Sequence, residues 1–136
     1  MTLSPASNDT LTALFEDTGT TPADYDLILT GDLGAVGLEL LNELFKKDGV
    51  NFNQNLGDCG VLIFDRDNQD VHSGGSGCGC SASVVCGYIL DQMRAGIMKR
   101  IIVAGTGAML SPTSTMQGES VPGVCHAVVI STEKGV

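Results

Sequence analysis

The chain has 136 residues, of which 43% are hydrophobic and 17% charged, with a net charge of −9. That length and apolar content suit one domain with a single real core and exclude a disordered chain. Seven Lys and Arg against 16 Asp and Glu exclude nucleic acid and disfavour an anionic lipid surface, since both partners need clustered cations.

Met1-Thr2-Leu3 leads directly into a helical segment with no strand before it, which reads as a boundary inside a larger protein. Ser4 to Thr18 is predicted to be a helix, with Ser4 as cap, Pro5 at the first helical position and Leu11, Leu14 and Phe15 as its apolar stripe. Tyr25 to Thr30 has the length and composition of a strand. A tight turn, Gly31-Asp32-Leu33-Gly34, leads from it into a helix over Ala35 to Lys47, which Gly49 stops. Asn51 to Gly57 is polar and turn-rich, and Cys59 to Phe64 reads as a second strand. After an acidic loop ending in Ser73-Gly74-Gly75-Ser76-Gly77, a long helix is expected from about Cys78 or Gly79 to Arg94. Lys99 to Gly105 is a third strand, Gly107 to Gly123 a long loop and Cys125 to Ser131 the last strand. Alternating strands and helices predict an α/β domain with a mixed, mostly parallel sheet flanked by helices. The last two strands have no helix between them and are expected to be antiparallel.

No apolar stretch approaches the length of a membrane span, and no signal peptide opens the chain. Five cysteines, two of them crowded as Cys78-Gly79-Cys80, do not form a secreted disulfide framework, so a reducing intracellular compartment is expected.

The glycine- and serine-rich run Gly74 to Ser83 lies between an apolar strand and a helix. Exposed N–H groups at such a helix start attract carboxylate or phosphate, and Ser76, Ser81 and Ser83 add hydroxyl donors. The run is neither a phosphate-binding P-loop nor a dinucleotide fingerprint. Its glycines have an alternative use in tight helix–sheet packing. The Cys78-x-Cys80 pair has four readings: nucleophile, redox pair, metal ligand with His72, or small side chains packed under the helix start. A helix-start cysteine is expected to have a lowered pKa. Asp32 lies at the carboxyl end of a strand, where ligands bind in open α/β sheets, and also suits a helix cap. Thr106, Gly107 and Ser111 share that edge, so three loops are expected to converge on one crevice. His126 reads as a core or interface residue, and the loop Gln117-Gly118-Glu119-Ser120 either orders on a ligand or packs on a partner.

Tyr25–Gly37 (YDLILTGDLGAVG), Asp58–Phe64 (DCGVLIF), Gln69–Ser83 (QDVHSGGSGCGCSAS) and Gly105–Val124 (GTGAMLSPTSTMQGESVPGV), continuing into His126-Ala127-Val128, resemble the C-terminal half of the stage V sporulation protein AD family. The resemblance implies a thiolase-like half-domain, a fragment of a two-half protein. It also implies a role in spores: binding dipicolinic acid, alone or with calcium, for uptake into the developing spore. The implied partners are other proteins of the stage V sporulation A operon at the inner spore membrane. Active thiolase-fold enzymes take their nucleophilic Cys from the other half. Chain-initiating ketoacyl synthases add a His from a His-Gln-Ala-Asn motif and an Asn from a Gly-Asn-Thr-Ser-Ala-Ala-Ser motif. This chain has Thr-Gly-Asp-Leu at Thr30–Leu33 and Cys78 in place of the Asn. The resemblance therefore implies a pseudo-enzyme with no catalytic residue, no cofactor and no metal.

The expected ligand-binding residues are Asp32, Ser76, Cys78, Gly79 and Cys80. A residual thiolate-dependent acyltransferase and a structural subunit docking on spore membrane partners are the alternatives. An isolated half exposing its missing partner's face is expected to self-associate.

Overall fold

In the computed structural model, residues 3–108, 112–118 and 120–133 are described. The apolar run Leu27–Thr30 forms β1; strands pair with both its edges, and helices cover both its faces. Leu56–Asp58 (β2) and Arg100–Ala108 (β3) flank it in parallel, and Gly123–Ser131 (β4) runs antiparallel to β3, giving the order β2-β1-β3-β4. The expected mixed sheet and its antiparallel last pair are both present.

Side chains of a strand alternate between faces, and the core follows that alternation. Ile28 and Ile102 join Leu11 and Phe15 of α1 (Ser4–Thr18) and Leu41 and Phe45 of α2 (Gly34–Lys47) on one face. Leu29 and Ile101 meet Cys59 of the short α3 (Cys59–Leu62) on the other, together with Cys80 and Val84 of α4 (Cys80–Val84) and Met93 of α5 (Leu90–Arg94). Between α4 and α5 the helix makes a π turn over Val85–Ile89. Its buried residues explain the turn. Cys80 to Val84 and Ile89 to Met93 are spaced by four, but Val84 to Ile89 is spaced by five. A turn closed by i→i+5 bonds puts both members of that middle pair on the sheet. A last short helix, α6 (Pro112–Met116), lies in the long loop before β4. Ser111 lies outside the described residues.

Two expectations need correction. Ser4 does not cap α1: it lies within the first turn, and its buried hydroxyl donates to the Gly37 carbonyl of α2 at 2.7 Å. The segment Cys59 to Phe64 is not a strand. The strand comes three residues earlier and ends at Asp58, whose carboxylate accepts the Val61 N–H at 3.2 Å and starts α3. Strand propensity in Val-Leu-Ile-Phe loses to this cap and to a close backbone approach. A Cβ at Gly60 would collide with the Gly75 carbonyl, and one at Gly74, which has φ +117°, would collide with the Gly60 carbonyl.

Asp58 does more than start α3. It is fully buried, and its other hydrogen bonds come from the Thr30 hydroxyl at 2.7 Å, the Leu33 N–H at 2.8 Å and the Gly34 N–H at 3.0 Å. Replacing Asp58 with Ala leaves these donors unpaired in the interior. The expected loss is roughly 3–5 kcal/mol of stability, read from urea unfolding.

Asp26 ties the start of β3 to β1 from the surface. Its carboxylate accepts the Arg100 N–H at 3.0 Å and the Lys99 N–H at 2.6 Å, and these bonds hold its pKa below the ordinary value of 3.8. A lowered carboxylate pKa contributes stability above the ordinary value and loses it as pH falls through the folded one. The unfolding midpoint should therefore be flat above about pH 5 and drop below about pH 4. Asp26→Asn should start less stable at neutral pH and lose less on acidification.

Candidate functional site

The loop after β1 carries Asp32, and the loop after α3 and the end of β3 meet it there. Its Oδ1 accepts the Thr106 hydroxyl at 3.0 Å, while its Oδ2 accepts the Ser76 hydroxyl at 3.3 Å and the Gly77 N–H at 3.1 Å. The fit is close: a Cβ at Gly31 would lie 2.8 Å from the Thr106 hydroxyl oxygen. Asp32 is thus a clamp between loops and does not cap α2. The expected convergence on one crevice is present for Asp32, Ser76 and Thr106.

The two helix starts behind these loops differ in what they offer a ligand. At α2, Leu33 and Gly34 donate to Asp58, while Ala35 donates to the Ser73 carbonyl at 2.7 Å and Val36 to its hydroxyl at 3.3 Å. Its four orphan donors are all satisfied. At α4, no side chain caps the helix start among the described residues. One donor of this second start, the Cys80 N–H, goes to the Gly77 carbonyl at 3.1 Å, so the start is only partly satisfied.

The cleft between them has a volume of about 730 Å³. Asp32, Ser76, Gly77, Cys78, Ser81 and Thr106 supply its polar lining, and Leu3, Leu33, Val36 and Ala108 supply apolar walls. Asp32 is the one acidic side chain among the described lining residues, which include no Lys, Arg or His.

Of the five expected site residues, Asp32, Ser76 and Cys78 line this cleft, and Gly79 and Cys80 do not. Cys80 is buried against Leu29, Val84 and Ile101 in the second core cluster. Burial, then the nearby carboxylates of Asp32 and Asp58, push its thiol pKa up, opposite to the expected lowering. Cys59 behaves alike: burial first and Asp58 second push its thiol up to about 12. The glycines divide in the same way. Gly74 and Gly75 serve close packing against Gly60, Ile63 and Phe64, whereas Cβ atoms at Gly77 and Gly79 would meet nothing within 4 Å. His72 lies exposed on the loop 3.7 Å from Asp70, and His126 lies exposed on β4. Among the described residues no group of three or more His, Cys, Asp or Glu is placed to hold a metal ion. Thr106 and Ser81 are the cleft donors that the expected set lacked. Thr106 was legible only as a neighbour on the strand edge.

The architecture and the cleft at the carboxyl edge of its sheet define an α/β half-domain of the thiolase-like kind. Residues 1–131 match the sequence profile of the family described as stage V sporulation protein AD. The chain is 44% identical over 133 residues to the stage V sporulation protein AD of Bacillus subtilis (strain 168), covering 98% of this chain and 39% of that protein. The chain belongs to the stage V sporulation protein AD family. It spans about 39% of the length of the curated relative it matches. No helix among the described residues is long and apolar enough to cross a membrane.

Burial separates the five thiols. Cys78 and Cys86 are exposed, and Cys59, Cys80 and Cys125 are buried. A chromogenic disulfide reagent at neutral pH should titrate the exposed pair in the native chain and the remaining three only after denaturant is added. Prompt reaction of Cys80 would contradict its burial.

Proposed function

We propose that this chain supplies part of a non-catalytic binding site for dipicolinic acid and serves its uptake into the developing spore. The observation that carries this reading is the cleft: the Ser81 hydroxyl lies beside the start of the helical stretch 80–94, which no side chain caps among the described residues, and the Ser76 and Thr106 hydroxyls that share the lining are held by Asp32. Hydroxyls and helix-start N–H groups are the donors that carboxylates use. Leu33 and Val36 add apolar surface for the flat face of an aromatic ring. Cys78 lies in the same cleft, and Gly79 precedes the helix. Cys80 enters this reading as a support beneath the helix start.

Asp32 decides the form of the ligand. A bare dianion beside its carboxylate is repelled, and no cationic side chain among the described cleft residues offsets this. A calcium ion held between Asp32 and the ligand carboxylates removes the conflict, since calcium takes oxygen ligands. The proposed setting is the forespore, at the inner spore membrane, with other products of the stage V sporulation A operon. A pseudo-enzyme fits the buried Cys80 thiol and its raised pKa. The structural-subunit reading predicts no small-ligand binding at all.

Calorimetric titration of dipicolinic acid, with and without calcium, tests this. The expected result is saturable binding that requires calcium and weakens roughly 10–100-fold in Asp32→Asn, the loss of one charge-assisted contact. Stronger calcium-free binding by Asp32→Asn would overturn the calcium bridge and keep the cleft. No binding by this chain or by a full-length relative would leave the structural-subunit reading.

A further inference from the structure

β4 ends the sheet, with β3 on its inner side and no described strand on its outer side. Its pairing with β3 is regular from Arg100–Ser131 to Ala108–Gly123, with no bulge. Edge strands are normally protected by charges, proline, bulges or shortness. The nine residues of β4, GVCHAVVIS, contain no Lys, Arg, Asp, Glu or Pro. Val128 is 57% exposed and Val129 37% exposed, on opposite faces of the strand. In a chain with a net charge of −9, this is a long stretch where a second copy meets no like charge.

The hydrogen bonds show which backbone groups point outward. Thr132 donates its N–H to the Lys99 carbonyl at 2.9 Å, so even-numbered residues of β4 face β3 and odd-numbered ones face away. Of the outward carbonyls, that of Cys125 accepts the Thr10 hydroxyl of α1 at 3.0 Å. Helix α1 thus closes one end of the edge and leaves Ala127 to Ser131 for pairing.

We propose that two copies of this chain pair through this open stretch, antiparallel across a twofold axis at Val129, to make one continuous sheet. The register is self-complementary. Ala127 and Ser131 form hydrogen-bonded pairs with their counterparts in the second copy, as does Val129 with itself. Val128 then lies opposite Ile130 on the other face, so an apolar side chain meets an apolar one. Pairing stops where β4 ends at Ser131 and where α1 covers Cys125. A register moved by one residue would set outward groups against groups already used in the ladder with β3.

The test is sedimentation of the purified chain from micromolar to near-millimolar concentration, with amide exchange on the same samples. The expected result is a dimer in which the Ala127, Val129 and Ser131 amides slow as concentration rises. Val129→Pro removes an outward donor that β3 does not use, and should raise the dissociation constant roughly a hundredfold or more. Val128→Lys supplies an independent variant and should also give a monomer; far-ultraviolet circular dichroism checks that each variant folds. A monomeric wild type, dimers that persist in both folded variants, or outward amides whose exchange ignores concentration would each overturn the proposal. So would outward amides that become protected only when the rest of a full-length relative is joined, which would assign the edge to a strand of the same polypeptide.

Discussion

The buried carboxylate of Asp58 is the joint on which the rest of the structure depends. Four donors converge on it from three segments: the end of β1, the first turn of α2 and the first turn of α3. Among the described residues no cation takes part. A buried carboxylate costs much desolvation, and here hydroxyl and backbone donors offset it. Through Thr30, Leu33 and Gly34 it sets the path of the chain on both sides of Asp32. The geometry of the cleft is therefore inherited from a residue outside it.

The two aspartates divide the work of building the cleft. Asp58 consumes donors at the start of α2, and Ser73 takes the remainder, so that helix has nothing left for a ligand. Asp32 ties the loop carrying Ser76 and Gly77 to Thr106 of β3, and holds the start of α4 at the mouth of the cleft. Two loops that look equivalent in sequence, each glycine-bearing and each before a helix, thus end with opposite capacities. The saturated one is scaffold; the other spends its Cys80 N–H on the Gly77 carbonyl and has no side-chain cap among the described residues.

The fold was legible where burial repeats with a clear period. Leu27–Thr30 reads as a strand because both its faces are covered, and Cys80, Val84, Ile89 and Met93 read as one helix despite a five-residue step. Legibility failed at Cys59–Phe64, where the apolar run has strand composition but begins after a capping Asp. That Asp was the available signal: an Asp just before an apolar run marks a helix start as well as a strand boundary. The site was legible in part. Asp32, Ser76 and Cys78 lie at the strand edge where topology places ligands. Cys80 was misjudged as a low-pKa thiol because sequence shows the helix start but not which side of it is buried. Thr106 was hard to single out because its partner, Asp32, lies 74 positions away.

Charge links the site to its setting. An acidic surface repels dianions at a distance, and the one acid or base among the described cleft residues is an Asp. Donors alone hold a carboxylate in place but do not neutralise it, so a site for a free dianion needs positive charge from outside this chain. Under the proposed function two sources meet that need: a calcium ion travelling with the ligand, or side chains from the remaining length of a family protein. They differ in what Asp32 does. With calcium its carboxylate is a ligand and the acidic surroundings favour the cation. With side chains it is a mere clamp between loops, and its charge opposes the ligand. The three hydrogen bonds Asp32 already accepts leave carboxylate lone pairs for a metal contact, since an ionised carboxylate has about four acceptor positions. The calcium reading therefore gives a use to the one charge the cleft contains, where the other must overcome it.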